Sequence, residues 1–232
     1  MRLYLSSFRL GDHDYQLPQL AGEGKHAAII ANAQDHLAPQ ARDKKLNDAH
    51  AELAALGFTS EECDLRNYFG DNTDSLREDL AGYDMLWAIG GSAFVLRSAM
   101  AQSGFDRVIH NLLADDRFVY AGYSAGVCVL APRLNGLELC DDPNAVAQAY
   151  NMETIWTGLG ILDEAIAPHY DSDHPEAAFA QDMVSYFDRN AIAYRALRDG
   201  DVLIRKGEDL ELFARTRAAP DTAQRQDKTP DP

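Results

Sequence analysis

Apolar runs and charged, helically spaced segments follow one another through the first half of the chain. Residues 2–7 and 84–89 read as strands, and 26–33 reads as a buried parallel strand. Residues 59–65 give a weaker strand, and 118–123 another. Segment 39–56 has apolar residues at helical spacing among charges, and Gly57 follows as a C-terminal cap. Helices are also expected over 76–81, 92–103 and 105–114. A polar loop is expected over 11–24, where Asp, His, Pro and Gly break the pattern. This alternation predicts an α/β fold with a parallel sheet and helices on both faces. Ligands of such sheets bind beyond the carboxyl ends of the strands. Two expected strand ends, Gly90-Gly91 and Ser124, fall there together.

The second half is less regular. Residues 132–146 are loop-like and acidic. Segment 165–168 reads as a strand ending at His169, on the same sheet edge as Ser124. A helix is expected over 175–189. Segments 191–197, 202–205 and 210–214 read as strands, joined by hairpin turns at Asp199-Gly200 and Lys206-Gly207.

The strand 118–123 runs into Gly122-Tyr123-Ser124-Ala125-Gly126 and then a further apolar run that can continue as a buried helix. Strand, sharp turn and helix, with serine at the turn, is the nucleophile-elbow arrangement. An ordinary β–α turn with a capping serine has the same pattern. A nucleophilic serine needs a base, an acid to orient it and oxyanion donors. His169 ends a buried-looking strand, whereas His110 sits in a helical pattern at the surface. His174 and Asp173 equally suit helix entry before Pro175. The cluster His169, Asp171, Asp173 and His174 invites a metal reading. No helical His pair or Cys partner supports it, so no metal is expected. Gly90-Gly91 closes one strand and opens a helix, so its free N–H groups suit an oxyanion hole or a plain turn.

Composition narrows the setting. The chain has 232 residues, enough for one α/β domain over 1–217, with a polar, Pro-bearing tail at 218–232 expected to be disordered. Net charge is −16, which disfavours nucleic acid. No run is apolar enough for a membrane span, and the first residues read as a strand rather than a signal peptide. Three scattered cysteines point to a reduced, cytoplasmic setting.

Segment 89–97 (Ile-Gly-Gly-Ser-Ala-Phe-Val-Leu-Arg), then 122–127 (Gly-Tyr-Ser-Ala-Gly-Val), then Ala167-Pro168-His169 resemble the peptidase E (aspartyl dipeptidase) and cyanophycinase family of serine peptidases. The resemblance runs from Met1 to about Phe213. It implies a three-layer sandwich with a mostly parallel central sheet, similar to class I glutamine amidotransferases and flavodoxin-like. It implies Ser124 as nucleophile, His169 as general base and acid, and N–H donors near Gly91 and Ala125. Asp199, in Leu197-Arg-Asp-Gly200, takes the position of the family's late acid, with Asp142 as the second candidate. The expected activity is hydrolysis of short peptides, with a preference for acidic N-terminal residues. No cofactor is expected, and a monomer or homodimer acts on small peptides. The chain departs from the dipeptidases at Ser92-Ala93 and at Tyr123, and Arg97 and Arg133 are the cations on offer for an acidic substrate. Two alternatives are an idle amidotransferase-like binding module and an α/β-hydrolase esterase. The esterase lacks its His-Gly-Gly-Gly loop and late histidine here. An amidotransferase needs cysteine at the elbow, whereas Cys128 lies a helical turn inward and suits the core.

Overall fold

Strands built from the apolar runs form the centre of the molecule. The computed structural model describes residues 1–70, 72–114, 116 and 118–216. Strands β1 (Arg2–Ser6), β2 (His26–Ile30), β3 (Thr59–Glu62), β4 (Met85–Ala88) and β5 (Val119–Tyr123) all run parallel. β6 (Ala165–Ala167) and β7 (Tyr194–Ala196) form a separate parallel pair. β8 (Val202–Lys206) and β9 (Asp209–Phe213) make a hairpin that adds antiparallel to β1. The main sheet has the order β3-β2-β4-β5-β1-β8-β9.

Side-chain alternation divides the interior between the two faces. Tyr4, Ala27, Ile29, Met85, Trp87 and Val119 pack on one side with α1 (Gln16–Ala21) and α2 (Pro39–Ala55). Leu3, Leu5, Ile30, Leu86 and Tyr120 face the other side. That side is covered by α3 (Thr73–Ala81), α4 (Ala93–Gln102), α5 (Phe105–Ala114) and α6 (Ala125–Cys128), and α7 (Ala145–Tyr150) and α8 (Ala177–Arg189) add side chains to the same cluster. The result is the three-layer α/β sandwich. Among the described residues no helix is long and apolar enough to cross a membrane.

Three expectations change. The polar stretch 11–24 contains α1, which exists because Leu17, Leu20 and Ala21 bury against the sheet. The Asp199-Gly200 turn does not join a hairpin. β7 pairs with β6, and the turn carries the chain across to β8. His169 therefore follows a strand of the small sheet, not of the main one. The expected tail at 218–232, and residue 217 at the expected domain limit, lie outside the described residues.

Candidate active site

Ser124 sits where β5 turns into α6, with φ 49° and ψ −115°. A non-glycine residue with positive φ is held there by its surroundings. Two residues on, a Cβ on Gly126 would stand 2.3 Å from the Ala88 carbonyl oxygen. Only glycine lets α6 start this close to β4. The Ser124 side chain makes no capping hydrogen bond to α6 and lines the cleft.

His169 and Asp199 reach Ser124 from the small sheet, each a few residues past the end of its strand. His169 is buried, with φ 62°. Its Nδ1 lies 2.8 Å from Asp199 Oδ1, and its Nε2 lies 3.1 Å from Ser124 Oγ. A carboxylate accepts only, so Nδ1 carries the proton and Nε2 accepts from the serine hydroxyl. Burial pushes the Asp199 carboxyl up, but the hydrogen bonds from His169 and Ser7 outweigh it and hold it below the usual carboxylate range.

Ser7 is a member that sequence reasoning missed. It is fully buried beyond β1. Its Oγ accepts from the His169 backbone N–H at 2.8 Å and donates to Asp199 Oδ1 at 2.7 Å. One hydroxyl thus ties the His169 backbone to the Asp199 carboxylate. The available signal was a serine pair leaving the first strand at the same carboxyl edge as Ser124.

The other candidates separate. Asp142 Oδ1 accepts from the backbone and side-chain nitrogens of Asn144, at 2.9 and 3.0 Å, in a local turn. Its neighbour Asp141 accepts from the Ala93 N–H at 2.7 Å, and burial chiefly raises its carboxyl to about 7. Arg97, one of the two cations on offer for an acidic substrate, points inward. It is bidentate to Asp106 at 2.9 and 2.7 Å and donates to the Thr157 carbonyl. Arg133 pairs by its backbone with Thr157 and does not line the cleft. His110 lies on the exposed side of α5, against the Leu159 carbonyl.

Asp171 instead pairs with Arg198 at 2.9 Å. Among the described residues, the ligand atoms that do gather are those of His169, His174 and Glu176. The two imidazoles are stacked, 3.8 Å apart and 9° from parallel. An ion has to lie near the plane of each ring it binds, and two parallel planes this far apart share no such point. This arrangement suits packing of His174 on His169 better than joint ligation. Burial and the neighbouring His169 lower the His174 imidazole.

The cleft over Ser124 has a volume of about 420 Å³, in the range of small-molecule sites. Gly91, at φ 138°, and Ala125 border it or the recess beneath Ser124. Among the described residues neither N–H donates to a backbone carbonyl. Lys45 is the one lysine or arginine among the described lining residues, against Asp141, Asp142 and Glu176.

A hydroxyl, an imidazole and a carboxylate in one hydrogen-bonded line at the edge of a parallel sheet are the parts from which acyl-transfer hydrolases are assembled. The chain belongs to peptidase family S51, whose family model matches residues 13–213. It is thus a peptidase, a hydrolase of peptide bonds. It is similar to an uncharacterised peptidase of Listeria monocytogenes, 26% identical over 157 residues, covering 67% of this chain and 72% of that one. A second uncharacterised peptidase, from Listeria innocua, is 24% identical over 162 residues, covering 70% and 73%. Among solved structures, a peptidase E candidate from Listeria monocytogenes superposes with a TM-score of 0.74 at 18% identity, covering 92% of this chain and 98% of that one. A peptidase from an acI-B1 Actinobacterium gives 0.65 at 14% identity, covering 92% and 87%. At these identities the likeness speaks to the fold, the class I glutamine amidotransferase-like sandwich.

Proposed function

We propose that this peptidase is of the serine type and hydrolyses short peptides through Ser124, His169 and Asp199. Ser124 Oγ attacks the scissile carbonyl as its proton passes to His169 Nε2. The protonated imidazole, oriented by Asp199, returns the proton to the leaving amine. Water then repeats the sequence on the acyl-enzyme, with His169 again taking the proton. The N–H groups of Gly91 and Ala125 receive the oxyanion. The observation that carries this reading is the line from Ser124 Oγ through His169 to Asp199, at 3.1 and 2.8 Å.

The small cleft supports short peptides in preference to protein loops. An acidic N-terminal preference rests on the resemblance, and Asp142 and Glu176 at the cleft oppose it. The working unit in this reading is a cytoplasmic monomer or homodimer that engages neither nucleic acid nor membrane. A fluorophosphonate probe tests the chemistry, and a panel of Asp-X, Ala-X and N-acylated dipeptides tests the substrate. The wild type should be labelled and Ser124→Ala should not. Equal labelling of both, or hydrolysis that survives in Ser124→Ala, would sink the proposal.

A further inference from the structure

Between β2 and α2 the chain makes a single tight turn, Asn32–Gln34, and all three residues are buried. Two of them are carboxamides, and buried amides need partners. Asn32 faces away from the cleft. Its Nδ2 donates to Asp35 at 2.7 Å and Asp64 at 3.0 Å, and its Oδ1 accepts from the Leu65 N–H at 3.1 Å. Gln34 reaches the other way, and its Nε2 donates to the Gly90 carbonyl. The Ala33 carbonyl between them accepts from the Ser92 N–H at 2.9 Å. A Cβ on Gly91 would stand 2.6 Å from the Ala33 oxygen and 2.7 Å from Gln34 Nε2. The turn therefore packs against the whole stretch from Gly90 to Ser92.

We infer that Gln34 is a positioning residue for the oxyanion hole, acting through the Gly90–Gly91 peptide. The inference rests on the proposed roles of Ser124 and the Gly91 N–H. In a trans peptide the C=O and N–H share one plane and point opposite ways. Holding the Gly90 carbonyl therefore aims the Gly91 N–H. Gly91 cannot do this for itself, because glycine is the residue with the most backbone freedom. Its φ of 138° also keeps ordinary side chains from replacing it. Donation to the Gly90 oxygen polarises the amide and makes its N–H a stronger donor. Oxyanion donors work by being aimed before charge develops, so a buried side chain that fixes the aim raises kcat without touching the substrate.

Two variants test this. Gln34→Met keeps the length and removes the donor. Gln34→Glu keeps the shape and turns an acceptor toward an acceptor. Rates are expressed per site titrated by the fluorophosphonate, so a partly folded preparation does not mimic a loss. Both variants should lose about 10- to 100-fold in kcat, less than the 10²–10³ that follows removal of an oxyanion donor itself. KM for the best dipeptide should stay near the wild-type value. A peptide aldehyde, whose tetrahedral adduct fills the hole, should weaken by the same factor as kcat/KM, while a product amino acid should bind as before. If kcat is unchanged in both variants, or aldehyde and product weaken together, the inference is overturned while the serine mechanism stands. If Ser124 is not labelled in the wild type, mechanism and inference fall together.

Discussion

The Asp199 carboxylate is useful because of what it faces. His169 Nδ1 and Ser7 Oγ both donate to its Oδ1, and the Ser172 hydroxyl accepts from its backbone N–H at 2.7 Å. Replacing it with Asn keeps the shape but lets the imidazole adopt the wrong tautomer. Asp199→Asn should lower kcat by about 10⁴-fold, as in triads whose acid is made neutral. Asp142→Asn should keep kcat close to wild type, since that side chain bonds Asn144 in its own turn and not His169. Steady-state kinetics on the two purified variants separates them, and a heavy loss in Asp142→Asn would reverse the assignment. The neighbouring Asp141 governs a different observable. Its carboxyl titrates near 7 in the folded chain and near about 3.9 when unfolded. Between those values the folded chain holds a proton that the unfolded chain has lost. Stability should therefore fall as pH rises from about 4 to about 7, by at most about 1.4 kcal/mol per pH unit, and then level off. Urea unfolding of wild type and Asp141→Asn across that window checks it, because the variant should lose this component of the slope.

Among the elements, the contact between α6 and β4 decides where Ser124 sits. With only 2.3 Å between a Cβ placed on Gly126 and the Ala88 oxygen, Gly126→Ala has to push α6 off the sheet. Overpacking of this kind costs about 1–3 kcal/mol. The kcat of the folded variant should fall well beyond what that loss of stability removes, because Ser124 moves with the helix. A variant that is destabilised yet fully active per folded molecule would contradict this. The same region shows what local pattern can reveal. The run from Phe118 to Leu130 gives strand, turn and helix in the right order, because small residues at the turn and apolar ones on both sides leave few other solutions. Its helix has only four residues, since the following segment is recruited to pair with residues 156–162. Arg97 was unreadable for a similar reason. Every residue of α4 from Ala93 to Met100 is buried, so the helix has no polar face to mark which way the arginine points. Its partner Asp106 lies on the next helix.

At the scale of the whole molecule, the site joins two sheets. Ser124 and the Gly90-Gly91 turn come from neighbouring parallel strands whose alternation was plain in the sequence. His169 and Asp199 come from a pair of three-residue strands whose pairing depends on contacts between distant segments, which local pattern does not encode. The tight turn at Asp199-Gly200 looked like a hairpin because turn chemistry specifies a reversal and not the partner strand. This division has a physical consequence. The small sheet is backed by α8, through Ala180, Met183, Val184 and the fully buried Phe187. Parts of a fold open with different free energies, and loosening this unit should break the line from His169 to Ser124 while the main sheet persists. Phe187→Ala, a large-to-small core change, costs about 3–5 kcal/mol. Trp87 reports on the main sheet, buried in β4 between Tyr4 and Tyr123, and Trp156, the second of the chain's two tryptophans, is removed as Trp156→Phe. In that background Phe187→Ala should lose peptidase activity at clearly lower urea than it loses the buried Trp87 fluorescence. Without the Phe187 change the two transitions should lie closer together. Coincident transitions in the Phe187→Ala protein would mean that the small sheet and the main sheet unfold as one unit, and that the catalytic line has no weaker hinge of its own.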